Sequence, residues 1–343
     1  MDVGVFVLGM HRSGTSVATN VITSLGVATA RSDDLVPPTA ENPKGYWEST
    51  SLIRVNTAIL GAVGSETGCP TALPRGWEND KRLDGLRDEA RASFRRSFPI
   101  APWVWKDPRN CLTFAFWKKT LGVRPAIVLV NRNPLEIAAS LHTRSGERKI
   151  YALALWERYL RQALAHTSGL PILTTAYAQL VGSPEAWARE ATRFLAGLGV
   201  ACHESTESAG AIVDRGLKHS EFDREDFLAD PDVSPEQRAL YLYLESLERD
   251  GDARGTALPR ETPTTDALLA ERRRVVATEA ERRNLERLLH ERDWRAQLRA
   301  SRYAAPARRA RAGVRRLAGA LSSVKRLRTD GEASSPRAGQ SVR

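Results

Sequence analysis

Val3-Gly4-Val5-Phe6-Val7-Leu8-Gly9-Met10-His11-Arg12-Ser13-Gly14-Thr15-Ser16 is the stretch around which the rest of the chain is organised. Val3, Val5, Phe6, Val7 and Leu8 form a short apolar, β-branched run, long enough for one buried parallel strand. Gly9 and Gly14 bracket a tight polar turn, and Thr15-Ser16 open a segment with helical apolar spacing at Val17, Val21, Ile22 and Leu25. A strand, a glycine-bounded loop and a helix N-terminus bring backbone N–H groups to one point. Orphan amides and the helix dipole both favour a phosphate-like anion there. The spacing follows the nucleoside-triphosphate loop G-x-x-x-x-G-K-[ST] with one change. Thr15 stands in the lysine slot, and the cation, Arg12, lies inside the loop. The expectation is an anion cradle without the lysine that reaches β- and γ-phosphates; the bland alternative is an ordinary strand–turn–helix.

The 343 residues suffice to bury a full core, in one large or two modest domains. Cys69, Cys111 and Cys202 lie far apart with no metal-ligand spacing, so reduced thiols in a cytoplasmic setting are expected, and no metal. Met1-Asp2 leads into the strand without the basic start of a signal peptide. No apolar run approaches the roughly 18–20 residues that span a membrane. The net charge of +10 is unevenly placed. Of the 51 Lys/Arg, 20 fall in 266–343 with only nine Asp/Glu, leaving 31 basic against 32 acidic residues in 1–265. A near-neutral body argues against a nucleic-acid-binding core, and no nucleic-acid partner is expected.

Further along, Pro37 to Glu48 is a proline- and glycine-punctuated loop with two carboxylates, Glu41 and Glu48, and two aromatics, Tyr46 and Trp47. Helices are expected over 51–60, 83–98, 111–121, from Pro134, over 151–166 and from Ser183-Pro184 to Leu198. Strands are expected at 103–105, 126–130 and 171–175, the last ending near Tyr177. This alternation predicts an α/β fold: a P-loop-like parallel sheet flanked by helices on both faces. Arg12, Lys106, Arg132 and Tyr177 then gather at the carboxyl ends of strands. The expected organisation is an α/β domain over 1–250, a linker over 251–265, a helical, basic amphipathic tail over 266–328 and disorder over 329–343. In that tail Val314, Leu317, Leu321 and Val324 form a stripe with most of the basic residues off it.

Together GMHRSGTS (9–16), NPKGYWE (42–48), WKDPR (105–109), VNRNPLEIAAS (130–140) and the segment from Tyr177 to Leu198 resemble the sulfotransferase family that uses 3′-phosphoadenosine 5′-phosphosulfate (PAPS) as donor. The resemblance covers about residues 3–220 and is closest to bacterial members with an HRSGTS loop. It implies that Gly9, His11, Arg12, Ser13, Gly14, Thr15 and Ser16 hold the 5′-phosphosulfate, with Arg12 against the bridging oxygen and the sulfuryl group. It also implies that Arg132 and Ser140 hold the 3′-phosphate, a group ATP lacks, and that Tyr177 meets the adenine. Lys106 matches the lysine of a K-D-P motif that stabilises charge near the leaving group. Asp107 and Arg109 either support that lysine or are structural.

For the base the resemblance offers Glu48 first, Glu41 second and His142 third. The stretch from Arg215 to His219 loosely resembles a basic segment that closes over the donor. Trp47, Trp77, Trp103 and Trp105 are available either to stack on a sugar or to fill the core. The tail segment ASRYAAPARR (300–309) resembles the ends of bacterial cell-surface glycosyltransferases, which implies a hydroxyl of a glycan or lipid-linked sugar as the acceptor. The tail over 307–328 is a candidate contact with an anionic membrane surface, which would place the protein peripherally at the inner membrane face. Two other readings stay open on sequence alone: a P-loop-type kinase or NTPase, and a tail-driven membrane-binding scaffold.

Overall fold

The computed structural model describes residues 3–39, 42, 44–203, 208–213, 222–250, 257–291 and 294. Four strands, β1 (Val3–Leu8), β2 (Trp103–Lys106), β3 (Arg124–Asn131) and β4 (Ile172–Ala176), form one sheet in the order β2-β1-β3-β4, every pair parallel. Alternate side chains of each strand serve two cores, as the period of a pleated strand requires. Val5 and Val7 of β1 join one cluster, Phe6 and Leu8 the other. Because both faces are covered, the strands read as unbroken apolar runs.

The helices are α1 (Thr15–Ser24), α2 (Thr50–Ala62), α3 (Asp84–Ser97), α4 (Asn110–Leu121), α5 (Pro134–Ser145), α6 (Lys149–Thr167), α7 (Tyr177–Gly182), α8 (Pro184–Gly197), α9 (Ser208–Ile212), α10 (Arg224–Ala229), α11 (Pro235–Asp250) and α12 (265–291). The cluster with Val5 and Val7 is completed by α1, α7, α8 and α9; α2 to α6 and α11 complete the other. The expected α/β fold with helices on both faces is therefore present. Local chemistry starts the helices nearest the site. Ser49 Oγ accepts from Leu52 N (3.1 Å) at α2, and Asn133 Oδ1 accepts from Leu135 N (2.9 Å) at α5, with Pro134 in the first turn. In this strand order the chain leaves β1 toward β2 and leaves β3 toward β4. The gap between the carboxyl ends of β1 and β3 is thus the switch point where α/β sheets bind ligands.

The first compact unit runs to Arg274, beyond the linker expected at 251–265. Thr265 is fully buried, Leu269 joins the core, and Arg158 of α6 meets Glu261 (2.7 Å) and Asp266 (2.6 Å). A Pro-, Thr- and Glu-rich segment reads as a solvated linker by composition. Here its polar groups find buried partners on α6, which composition cannot reveal. In the second unit, residues 275–291 are helical and exposed, with pairs Arg282–Glu286 and Arg287–Glu291 at 3.6 Å. The amphipathic stripe expected within 307–328 and the segment 329–343 lie outside the described residues. Among the described residues no helix is long and apolar enough to cross a membrane.

Candidate anion-binding site

The loop from Gly9 to Gly14 is shaped by contacts that permit few other residues. Gly9 N donates to Cys111 Sγ (3.1 Å), and burial pushes that thiol up to about 12, so it stays protonated. Gly14 has φ +95°, and a Cβ there would stand 2.3 Å from Cδ2 of Tyr177, so only glycine fits against that ring. Arg12 takes φ +70° without being glycine, a conformation that costs of order 1–3 kcal/mol and is tolerated where a site requires it. Ser13 turns inward, its Oγ donating to Met10 O (2.6 Å). No side chain caps α1, so the leading N–H groups at Thr15 and Ser16 stay available at the loop.

Arg12 and Arg132 meet across the switch point. Arg132 Nη1 donates to the carbonyl of Arg12 (2.9 Å), and its guanidinium lies over the Tyr177 ring, 4.3 Å from the centroid. Arg132 also pairs with Glu136 at 2.8 Å. Ser140, expected to share a 3′-phosphate with Arg132, accepts at its Oγ from Arg12 Nε (2.8 Å), so Ser140, Arg12 and Arg132 stand in one chain of contacts. The second turn of α5 thus faces the loop.

On the other side, Lys106 closes β2 and is buried. Its Nζ donates to Glu48 Oε1 (2.5 Å) and to the Tyr46 carbonyl (2.8 Å). Arg109 reaches the second Glu48 oxygen at 3.4 Å and Asp107 at 2.9 Å. Behind them Asn56 of α2 is fully buried and uses both ends of its amide. Nδ2 donates to Asp107 (2.9 Å) and Asn110 (3.0 Å), while Oδ1 accepts from Thr113 (2.8 Å) and Trp117 (2.7 Å). Glu48 is thus a carboxylate held between two cations on a rigid polar base. Arg109 supports it directly, and Asp107 acts through Arg109.

Other expected residues fall elsewhere. His142 is exposed, with Nδ1 against the Glu147 carbonyl (3.1 Å), in its own corner rather than in the Lys106–Glu48 cluster. Glu41 and the stretch 215–219 lie outside the described residues. Trp77, Trp103 and Trp105 are buried core rings, Trp103 and Trp105 packed against Phe94 at 4.8 and 5.4 Å, and so cannot meet a sugar. Trp47, at φ +59°, instead lines a cleft beside the loop with Ser16, Asn20, Tyr177, Ile212 and Val213. His11 packs edge-on against Tyr159 (5.5 Å). Burial first, then the charges of Arg272, Arg109, Arg144 and Arg12, lower it to about 3, so it is neutral. Sequence reasoning missed Asn56, Tyr159 and Arg272. For Asn56 the signal was one amide among the apolar positions of an amphipathic helix; for the other two no local signal exists.

No family profile and no curated protein matches the chain. Solved structures with a related arrangement include the sulfotransferase domain of the Synechococcus PCC 7002 olefin synthase (16% identity, 79% of this chain and 94% of that one, TM-score 0.38). Another is the sulfotransferase STF9 from Mycobacterium avium (14% identity, 75% of this chain and 78% of that one, TM-score 0.38). A third is the sulfotransferase domain of the curacin biosynthetic pathway (14% identity, 79% of this chain and 97% of that one, TM-score 0.34).

Proposed function

We propose that the protein is a sulfotransferase that moves a sulfuryl group from PAPS to a hydroxyl, with a glycan or lipid-linked sugar as the acceptor class. The observation that carries this is the junction at the switch point. A loop arginine, Arg12, is locked to Ser140, and Arg132 closes on the Arg12 carbonyl while stacking on Tyr177. These cations frame an anion loop whose lysine slot holds Thr15. A kinase or NTPase would need that lysine for its β- and γ-phosphates.

The bound donor would supply the sulfuryl group and adenosine 3′,5′-bisphosphate as leaving group. Ser16, Tyr177 and Trp47 would take the adenosine portion in the cleft beside the loop. Arg132 would turn from Glu136 toward the 3′-phosphate, for which its planar fork is suited. Glu48 would take the proton of the acceptor hydroxyl as the oxygen–sulfur bond forms. Arg12, Lys106 and the α1 amides would absorb the charge that builds on the bridging oxygen as the old sulfur–oxygen bond breaks. Lys106 contacts Glu48 directly, so base and charge stabiliser sit side by side.

The test is calorimetric binding of adenosine 3′,5′-bisphosphate against ATP–Mg²⁺, followed by transfer from labelled donor to a panel of glycans, glycolipids and phenols. Preference for the bisphosphate supports the assignment, and much tighter binding of ATP–Mg²⁺ would overturn it. The tail is proposed, from its sequence stripe at 314–324, to rest on an anionic membrane surface. Flotation with anionic vesicles should depend on residues 307–328, and equal partitioning without them would reject that role.

A further inference from the structure

Arg272 lies far beyond the motifs in sequence, yet its side chain reaches their neighbourhood. Nη1 donates to the Gly68 carbonyl (2.7 Å), Nε donates to Glu147 Oε2 (2.9 Å), and Nη2 reaches the same oxygen. One planar fork thereby ties the loop after α2 to the corner between α5 and α6. A Cβ at residue 68 would stand 3.0 Å from Nη1, so the guanidinium already fills the space there. Arg273 adds Glu66 (2.7 Å) and the Cys69 carbonyl (2.8 Å).

These contacts close a ring on the anion loop. His11 meets Tyr159, whose hydroxyl donates to the Thr67 carbonyl (2.8 Å). Gly68, next along, is held by Arg272, and Arg272 holds Glu147. The helix leading to Glu147, α5, carries Ser140, the partner of Arg12. The ring involves α5 and α6, in the core layer opposite α1 and α7, whose residues line the nucleotide cleft. A buried clasp on α6 keeps the arginine's segment in place. Glu157 accepts from Thr262 N (2.7 Å) and Thr265 Oγ1 (3.0 Å), beside Arg158 with Glu261 and Asp266.

We infer that Arg272 is a positioning residue for the acceptor side of the site, fixing His11, Tyr159 and the loop 64–73 as the wall against which an acceptor would approach Glu48. The chemistry of this inference rests on the sulfuryl transfer proposed above; its geometry does not. The segment 257–274, the end of the expected linker and the start of the expected tail, then belongs to the functional unit.

Full-length wild type, Arg272→Ala and Arg272→Lys test it. Amide exchange across 64–73 should quicken about tenfold in Arg272→Ala, the loss of a charge-assisted fork, while β1 and β2 exchange as before. The His11 ring, lowered to about 3 by burial first and then by the Arg272 charge, is followed by NMR. It should titrate at higher pH in Arg272→Ala and return toward the wild-type value in Arg272→Lys, which restores the charge without the fork. Loop protection should not return with it. Unchanged exchange together with an unchanged His11 titration in Arg272→Ala would overturn the inference. Failure of the wild type to bind adenosine 3′,5′-bisphosphate would instead overturn the transfer chemistry and leave the ring test to be read by itself.

Discussion

The carboxyl ends of β2 and β3 flank β1 symmetrically in the sheet but are finished differently. At the end of β2 both carboxylates, Glu48 and Asp107, meet cations, and Asn56 braces the cluster from below. At the end of β3, Arg132 meets Glu136, and the half-buried Glu248 of α11 accepts from the amide of Asn131 (3.3 Å); Asn131 Oδ1 at this end, like Arg109 Nε and Asn110 Nδ2 at the other, has no partner among the described residues. Ion pairs braced by a satisfied buried amide hold the β2 end together, whereas Arg132 at the β3 end is held by an ion pair, a backbone carbonyl and the face of a tyrosine ring.

Five substitutions probe this contrast, from the largest effect to the smallest. Arg12→Ala removes the loop cation and the Ser140 bond together, and sulfuryl transfer should fall by about 10²–10³-fold; near-normal turnover would show that the β2 end suffices. Glu48→Gln should lower turnover about 10²-fold while bisphosphate affinity holds, which calorimetry beside a rate assay separates; equal losses in both would blur the two ends. Asn56→Ala should cost about 2–4 kcal/mol in denaturant unfolding, because Asp107, Asn110, Thr113 and Trp117 all lose their partner. The same change at the β3 end, Asn131→Ala, should cost less than half of that. The fifth acts through pH.

Burial pushes Glu248 up to about 7, so it keeps its proton where the unfolded chain has lost its own. Its contribution to stability is therefore present below the ordinary carboxylate range and declines as pH rises from about 4.5 to 7. Glu248→Gln should remove that decline from a plot of melting temperature against pH. A slope that survives the substitution would mean the β3 end is less strained than its contacts indicate.

Much of the fold was legible in the sequence because it depends on local periodicity. The four strands and the helices beginning at Thr15 and Pro134 follow from apolar runs, a glycine-bounded turn and a proline at N1. The lower helices α10 and α11 carried no motif and were not anticipated. Within the site, residues next to strand ends were found because a parallel sheet brings every strand end to one edge. Spacing along α5 places Ser140 in its second turn but does not reveal that its Oγ bonds Arg12. Arg272 and Tyr159 were invisible for a different reason. Their contacts join positions more than 80 residues apart, and nothing in either neighbourhood distinguishes them from solvated or core residues.

One atom links the two ends of the sheet edge more directly than any side chain. The Tyr46 carbonyl accepts from Lys106 Nζ and also from Ser16 Oγ (3.2 Å), and the next residue is the strained Trp47 that lines the cleft. That carbonyl is a hinge pin shared by two leaves. If the 44–48 segment swings and the cleft at Trp47 opens, the pin leaves both seats at once. Lys106 is then left leaning on Glu48 alone. The cleft and the set of Glu48 are thereby geared to each other through a single peptide unit.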